Sequence, residues 1–228
     1  MKTIGLLGGM SWESTAHYYR AINQDVATRL GGLHSAPMII HSVDFAPIAQ
    51  MQTAGDWDGA GRFLAEAARG LDAAGAGVIG LATNTMHVVA EQIIAAVGIP
   101  FVHIADPTAD ALVADGFTRV GLLGTRFTME MPFYRDRLAA RGLDVLVPEV
   151  DRTNLNAIIF EELCRGIIRE PSRQIYVEAI GRLQARGAEA VILGCTEVGM
   201  LIDDAVSPLP VYDTTELHAR ALVDAALS

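Results

Sequence analysis

Two cysteines in 228 residues cannot build a disulfide framework, so Cys164 and Cys195 point to a reduced, cytoplasmic setting. Also missing is any apolar run of the ~18 residues that a membrane-spanning helix needs. The apolar start after Met1-Lys2-Thr3 is only about seven residues long and meets Ser11-Trp12-Glu13-Ser14 where a cleavage site would stand, so a buried first strand explains it better than a signal peptide. Basic charge is scarce as well, with 17 Lys and Arg against 27 Asp and Glu and a net charge of −10. That balance repels nucleic acid and anionic membrane surfaces. It leaves room for a small acidic substrate, because a few local donors outweigh a diffuse surface charge.

Three motif classes are absent too. His17, His34, His41, His87, His103 and His218 show no His-x-x-x-His spacing, and there is no Cys-x-x-Cys, so no metal site is expected. No Gly-x-Ser-x-Gly elbow occurs. Gly5-x-x-Gly8-Gly9 misses the dinucleotide fingerprint, and no acidic residue follows a second strand at the right distance. A nicotinamide cofactor is not expected. The small residues of Gly8-Gly9-Met10-Ser11-Trp12 serve better to let backbone amides approach a ligand.

What the chain does have is apolar residues, 51% of the total, enough for the core of one or two domains. Short apolar runs predict strands at 3–7, 38–41, 78–81, 101–104, 120–123, 145–147, 190–193 and 211–212. Helical periodicity covers 14–30, 56–74, 84–97, 171–185 and 215–227, with Gly75 and Gly187 as stop signals. Strands alternating with helices predict an α/β fold with mostly parallel sheets and right-handed crossovers. In such sheets ligands bind beyond the carboxyl ends of the strands.

The chain also repeats itself. Ile4-Gly5-Leu6-Leu7-Gly8 recurs as Val120-Gly121-Leu122-Leu123-Gly124, and Tyr18-Tyr19-Arg20 as Phe133-Tyr134-Arg135. Ile99-Pro100-Phe101 recurs as Leu209-Pro210-Val211, and Ala111-Leu112-Val113 as Ala221-Leu222-Val223. Between them, Gly75 to Thr85 reads against Gly187 to Glu197 and sets Thr83 opposite Cys195. Buried strands resemble one another in any α/β protein, but four matches in one order indicate duplication. A duplicated fold that offers one acid/base group from each half suits chemistry on two faces of one small substrate.

Cys195 closes a strand where a helix is expected to begin, and free amides at a helix start lower a thiol's pKa from its usual value of about 8.5. A thiolate there is a nucleophile and a general base; the competing reading is a buried structural cysteine. Thr83-Asn84-Thr85-Met86-His87 is the equivalent loop of the first half. Its hydroxyls, amide and backbone N–H groups suit a carboxylate, although Thr and Asn also cap helices. His87, one turn on, reads alone as a satisfied histidine rather than a base.

Taken together, Gly8-Gly9-Met10-Ser11-Trp12-Glu13-Ser14-Thr15, Gly31-Gly32-Leu33-His34-Ser35, His41-Ser42-Val43-Asp44-Phe45, Thr83-Asn84-Thr85-Met86-His87, Leu123-Gly124-Thr125 and Gly194-Cys195-Thr196-Glu197 resemble the aspartate/glutamate racemase superfamily. The resemblance spans essentially the whole chain and is nearest to the YgeA-type amino-acid racemases that need no pyridoxal phosphate. It implies two pseudo-symmetric Rossmann-like domains, residues 1–99 plus 208–228 and residues 100–207, with the active site in the cleft between them. It implies no cofactor, an amino-acid substrate and a homodimer. Most members carry a cysteine in each half, and the second-half thiol works on the L-enantiomer. Here the first of those places holds Thr83, as in an atypical L-Asp/Glu-preferring subgroup. Cys195 would then take the α-proton of an L-amino acid and Thr83 would return one to the other face, relayed through water or His87.

The resemblance places substrate contacts at Met10, Gln52, Asn84, Thr85, Met86, Thr125, Gly166, Thr196 and Glu197. Two-cysteine aspartate racemases grip the distal carboxylate with an Arg and a Lys. Gln52 implies a looser grip, open to Glu, Asp or an uncharged homologue such as homoserine. Rival readings are an arylmalonate decarboxylase or maleate isomerase of the same superfamily, or a catalytically silent amino-acid-binding protein. The polar Thr83-Asn84-Thr85 loop opposes an α-aryl pocket.

Overall fold

A computed structural model describes residues 1–228. They form two compact units, Met1–Ile104 with His218–Ser228, and Ala105–Leu217. In the first unit β1 (Ile4–Gly8) leads through α1 (Trp12–Leu30) to β2 (Met38–Ser42), then through α2 (Phe45–Ala54) and α3 (Trp57–Ala73) to β3 (Val78–Leu81). A 3-10 turn (Thr85–Val89) and the short α4 (Ala90–Ile94) precede β4 (Phe101–Val102). The second unit runs α5 (Ala105–Ala114), β5 (Arg119–Gly124), α6 (Arg126–Glu130), α7 (Pro132–Ala139), β6 (Asp144–Leu146) and α8 (Arg152–Glu161). It continues through a 3-10 turn (Leu163–Arg165), α9 (Glu170–Ala185), β7 (Ala190–Gly194), a second 3-10 turn (Val198–Met200) and β8 (Val211–Asp213). Helix α10 (Thr214–Leu227) starts there and belongs to the first unit from His218 onward.

Each unit holds one four-stranded sheet, ordered β2-β1-β3-β4 and β6-β5-β7-β8, and every pairing is parallel. All eight strands expected from the apolar runs are present. Alternate residues of a strand face opposite sides of its sheet. In the first unit Ile4, Leu6 and Val78 pack on Tyr18, Ile22 and Val26 of α1 and on Leu222 and Val223 of α10. Leu7, Ile79 and Leu81 point the other way, onto Leu64, Ala68 and Leu71 of α3. With helices on both faces, β1 and β3 are buried throughout, which is why they read as unbroken apolar runs. No helix is long and apolar enough to cross a membrane.

The strand register makes the duplication concrete. Ile4 and Leu7 pair with Val78 and Leu81; Val120 and Leu123 pair with Ala190 and Leu193. Counting two residues beyond each second strand partner reaches Thr83 in one unit and Cys195 in the other. The packing repeats as well. A Cβ on Gly5 would lie 3.3 Å from Leu71 Cβ of α3, and one on Gly121 would lie 2.9 Å from Leu183 Cδ1 of α9. The same glycine lets the same crossover leucine settle on the sheet.

Strands β5 and β7 end on the paired residues Gly124 and Gly194. A Cβ on Gly124 would stand 2.5 Å from the Gly194 carbonyl oxygen, a backbone atom with no rotamer to move away. Gly124→Ala is therefore expected to destabilise the protein by about 1–3 kcal/mol or more, read as a lower denaturant midpoint at unchanged slope.

One predicted helix is not continuous. Instead of a single helix over 84–97, residues Thr85–Val89 form a 3-10 turn and only Ala90–Ile94 are α-helical. The cause is local. The Thr83 carbonyl, which an α-helix would give to the His87 backbone N–H, is bonded by the His87 ring at 2.7 Å. The His87 N–H turns to Asn84 O at 3.1 Å, the tighter three-residue pattern.

Candidate active site

In the first unit β3 delivers Thr83, Asn84 and Thr85 as a buried polar triplet. Backbone bonds fix its approach: Ala82 N–H donates to Leu7 O and Thr83 N–H to Leu81 O, each at 2.8 Å. The Ser14 hydroxyl, from the first turn of α1, donates to Ala82 O at 3.3 Å. Asn84 makes no side-chain cap bond to the turn that follows. Thr83 is thus held at a strand end by main-chain contacts rather than as a helix cap.

His87 is locked. Its Nε2 accepts from the Ile104 backbone N–H at 3.2 Å, so the proton sits on Nδ1, which donates to Thr83 O at 2.7 Å. Both ring nitrogens serve the backbone, and the ring packs against His103 with centroids 4.5 Å apart. This corrects one expectation from the sequence: His87 supports the Thr83 main chain and is not placed to pass a proton to its hydroxyl.

Gln52 and Met86 meet in the same unit. Gln52 lies buried on α2, and its Nε2 donates to Met86 Sδ at 3.0 Å. The Gln52 carbonyl oxygen is buried with no hydrogen-bond partner, a costly state for a polar atom unless something else fills it. Met10 and Met86 share one apolar cluster with Leu7 and Leu81.

In the second unit Thr125 and Cys195 leave adjacent strand ends. The Thr125 hydroxyl accepts from Thr128 N–H at 3.2 Å and caps α6. Cys195 is buried beside Leu193, Val198 and Tyr176 in the apolar core. Its thiol donates to Glu197 Oε2 at 3.1 Å, and the Thr196 hydroxyl donates to the same oxygen at 2.7 Å. The Cys164 thiol donates to the other oxygen, Oε1, at 3.7 Å. Gly166, itself exposed and with φ of +70°, ends the turn that carries the half-buried Cys164.

The electrostatics reverse another expectation. Only a three-residue 3-10 turn follows Cys195, too short for a helix start to lower its pKa. Burial pushes the Cys195 thiol well up, and the nearby Glu197 carboxylate and Cys164 add to the rise. The Glu197 backbone N–H, directed at the same sulfur, pulls the other way. Cys164 is also pushed up, first by burial and then by Glu197. At rest the site holds thiols around one carboxylate. The sequence singled out Cys195, Thr196 and Glu197 but not Cys164, since no local pattern ties residues 33 positions apart.

A family description, Asp/Glu/Hydantoin racemase, matches residues 7–222. The chain is 52% identical to a candidate Asp/Glu racemase from Yersinia pestis, each covered over its full length, with a TM-score of 0.92. An aspartate racemase homologue from Pyrococcus horikoshii OT3 is 35% identical, also over the full length of both chains, with a TM-score of 0.86. The broad specificity amino-acid racemase RacX of Bacillus subtilis (strain 168) is 24% identical over 99% of this chain and 98% of its own. The chain belongs to the Asp/Glu/hydantoin racemase family, and the protein is an isomerase.

Proposed function

We propose that this amino-acid racemase acts on aspartate, glutamate or a close homologue and favours the L-enantiomer. In this reading Cys195 and Thr83 work on opposite faces of the α-carbon without pyridoxal phosphate. The observation that carries the reading is the shared register of the two units, which makes a thiol and a hydroxyl equivalent strand-end groups. Cys195 removes the α-proton of the L-isomer as a thiolate. Thr83 orients a water that returns a proton from the other side, because its hydroxyl is far too weak an acid to act unaided. Backbone amides, the Asn84 side-chain amide and the Thr85 hydroxyl hold the substrate carboxylate, and with it the charge that develops on proton removal.

Lysine usage supports the cofactor-free reading. Pyridoxal phosphate racemases carry the cofactor as a Schiff base on a lysine. Lys2 is the only lysine in the chain. It is exposed and bonds Ala225 O at 3.4 Å. The buried Gln52 oxygen is an acceptor, so it can meet a hydroxyl far end directly but an acidic far end only through an intervening donor, a looser grip than an ion pair.

The test is a panel of L- and D-amino acids incubated with enzyme dialysed free of cofactor, followed by chiral chromatography. Interconversion of aspartate or glutamate enantiomers is expected. Amino-acid binding with no α-proton exchange, or decarboxylation of an arylmalonate in its place, would overturn the proposal.

A further inference from the structure

Glu197 has no role in the reaction as written above, yet its carboxylate is the common acceptor of the Cys195 and Cys164 thiols. Resting on the racemase reading, we infer that Glu197 is the positioning residue for Cys195: its Oε2 takes the thiol proton as the sulfur ionises. The step is balanced. One proton moves 3.1 Å along an existing hydrogen bond, and the pair keeps a single negative charge before and after. When the sulfur then collects the α-proton, the pair is neutral, and loss of one proton to water restores the start.

Three observations carry the assignment. Cys195 and Glu197 are both buried, so a second negative charge beside the first is strongly opposed. Proton loss to bulk water creates that second charge; transfer within the pair does not. Next, Glu197 meets the sulfur directly, its carboxylate accepting from the thiol at 3.1 Å, while its backbone N–H favours the thiolate. Finally, Cys164 stays a thiol, since burial raises it too, and so holds Oε1 while Oε2 faces Cys195. In water a thiol lies about 4 pKa units above a carboxyl. The transferred form is therefore the minor one at rest, drawn on as the sulfur takes up the α-proton.

The sign of the effect separates this role from its opposite. A carboxylate that only repels the thiolate would, on removal, ease ionisation of Cys195 and speed its reactions at neutral pH. A carboxylate that takes the proton would, on removal, leave a buried thiol that must ionise against bulk water. Apparent pKa values belong to the pair, not to either residue.

The experiment measures kcat/KM against pH, together with alkylation of Cys195 by iodoacetamide against pH in a Cys164→Ser background that leaves one thiol. Glu197→Gln is expected to move the acid limb of both profiles up by at least about one pH unit and to slow alkylation at pH 7 about tenfold. Glu197→Asp keeps a carboxylate and should bring the limb back toward wild type, which a purely structural loss would not do. Limbs that stay in place or move down in Glu197→Gln overturn the assignment. Alkylation needs no substrate, so a shifted alkylation profile with no α-proton exchange on any amino acid supports the proton transfer and refutes the racemase reading. Intact racemisation with an unmoved alkylation profile does the reverse.

Discussion

Cys195→Ser is expected to lower kcat/KM for racemisation by at least about 10³-fold while leaving the fold intact. The serine hydroxyl can still donate to Glu197, as the thiol does at 3.1 Å, so the local hydrogen-bond pattern survives. What disappears is the acidity. A thiol with an ordinary pKa near 8.5 can be ionised in a protein site, whereas an aliphatic hydroxyl in the same buried position stays protonated. If Cys195 were only a core residue, as its place beside Leu193 and Val198 would suit, the serine variant would lose stability and keep its turnover. Parallel activity and denaturation curves separate the two.

Thr83→Ala is expected to lower the rate of inversion about 10²-fold, the usual scale for losing one positioned proton-transfer group. The loss should fall on kcat/KM equally in both directions. L- and D-isomers have the same free energy in water, so the equilibrium constant is one and the two kcat/KM values must match. Any preference imposed by pairing a thiol with a hydroxyl therefore shows in kcat and KM separately. Thr83→Cys, which sets a thiol at the residue equivalent to Cys195, should raise kcat for the D-isomer above wild type. An unchanged kcat in that variant would mean that Thr83 does not serve the second face.

Much of this was legible in the sequence, for identifiable reasons. Buried parallel strands are continuous apolar runs, so 78–81 and 190–193 stood out, and their repeat placed Thr83 against Cys195 before any register was known. Gly75 and Gly187 marked helix ends correctly because both adopt positive φ, +93° and +92°, a conformation that side chains other than glycine's rarely take. Helices α2, α5, α6, α7 and α8 lacked a clear stripe and escaped notice; α7, for example, buries only Tyr134 and Leu138. The finer chemistry was hidden because it depends on contacts between distant residues. Nothing near Asn84 announces that His87 will bond back to Thr83 and forward to Ile104, converting a predicted helix into a 3-10 turn. Nothing near Glu197 announces Cys164. The expected acidic thiol failed on the same ground: the motif supplied the strand end, while burial and a neighbouring carboxylate, both set by packing, decided the pKa.

The division of labour between the two residues is tested most directly by the Thr83→Ala enzyme in D₂O with an L-substrate. Proton NMR would follow loss of the α-proton and chiral chromatography would follow inversion. Continued entry of deuterium into the L-isomer with inversion nearly abolished is the expected result, since Cys195 still opens and closes the L-face. Loss of exchange and inversion in equal measure, or exchange that persists unchanged in Cys195→Ser, would contradict it.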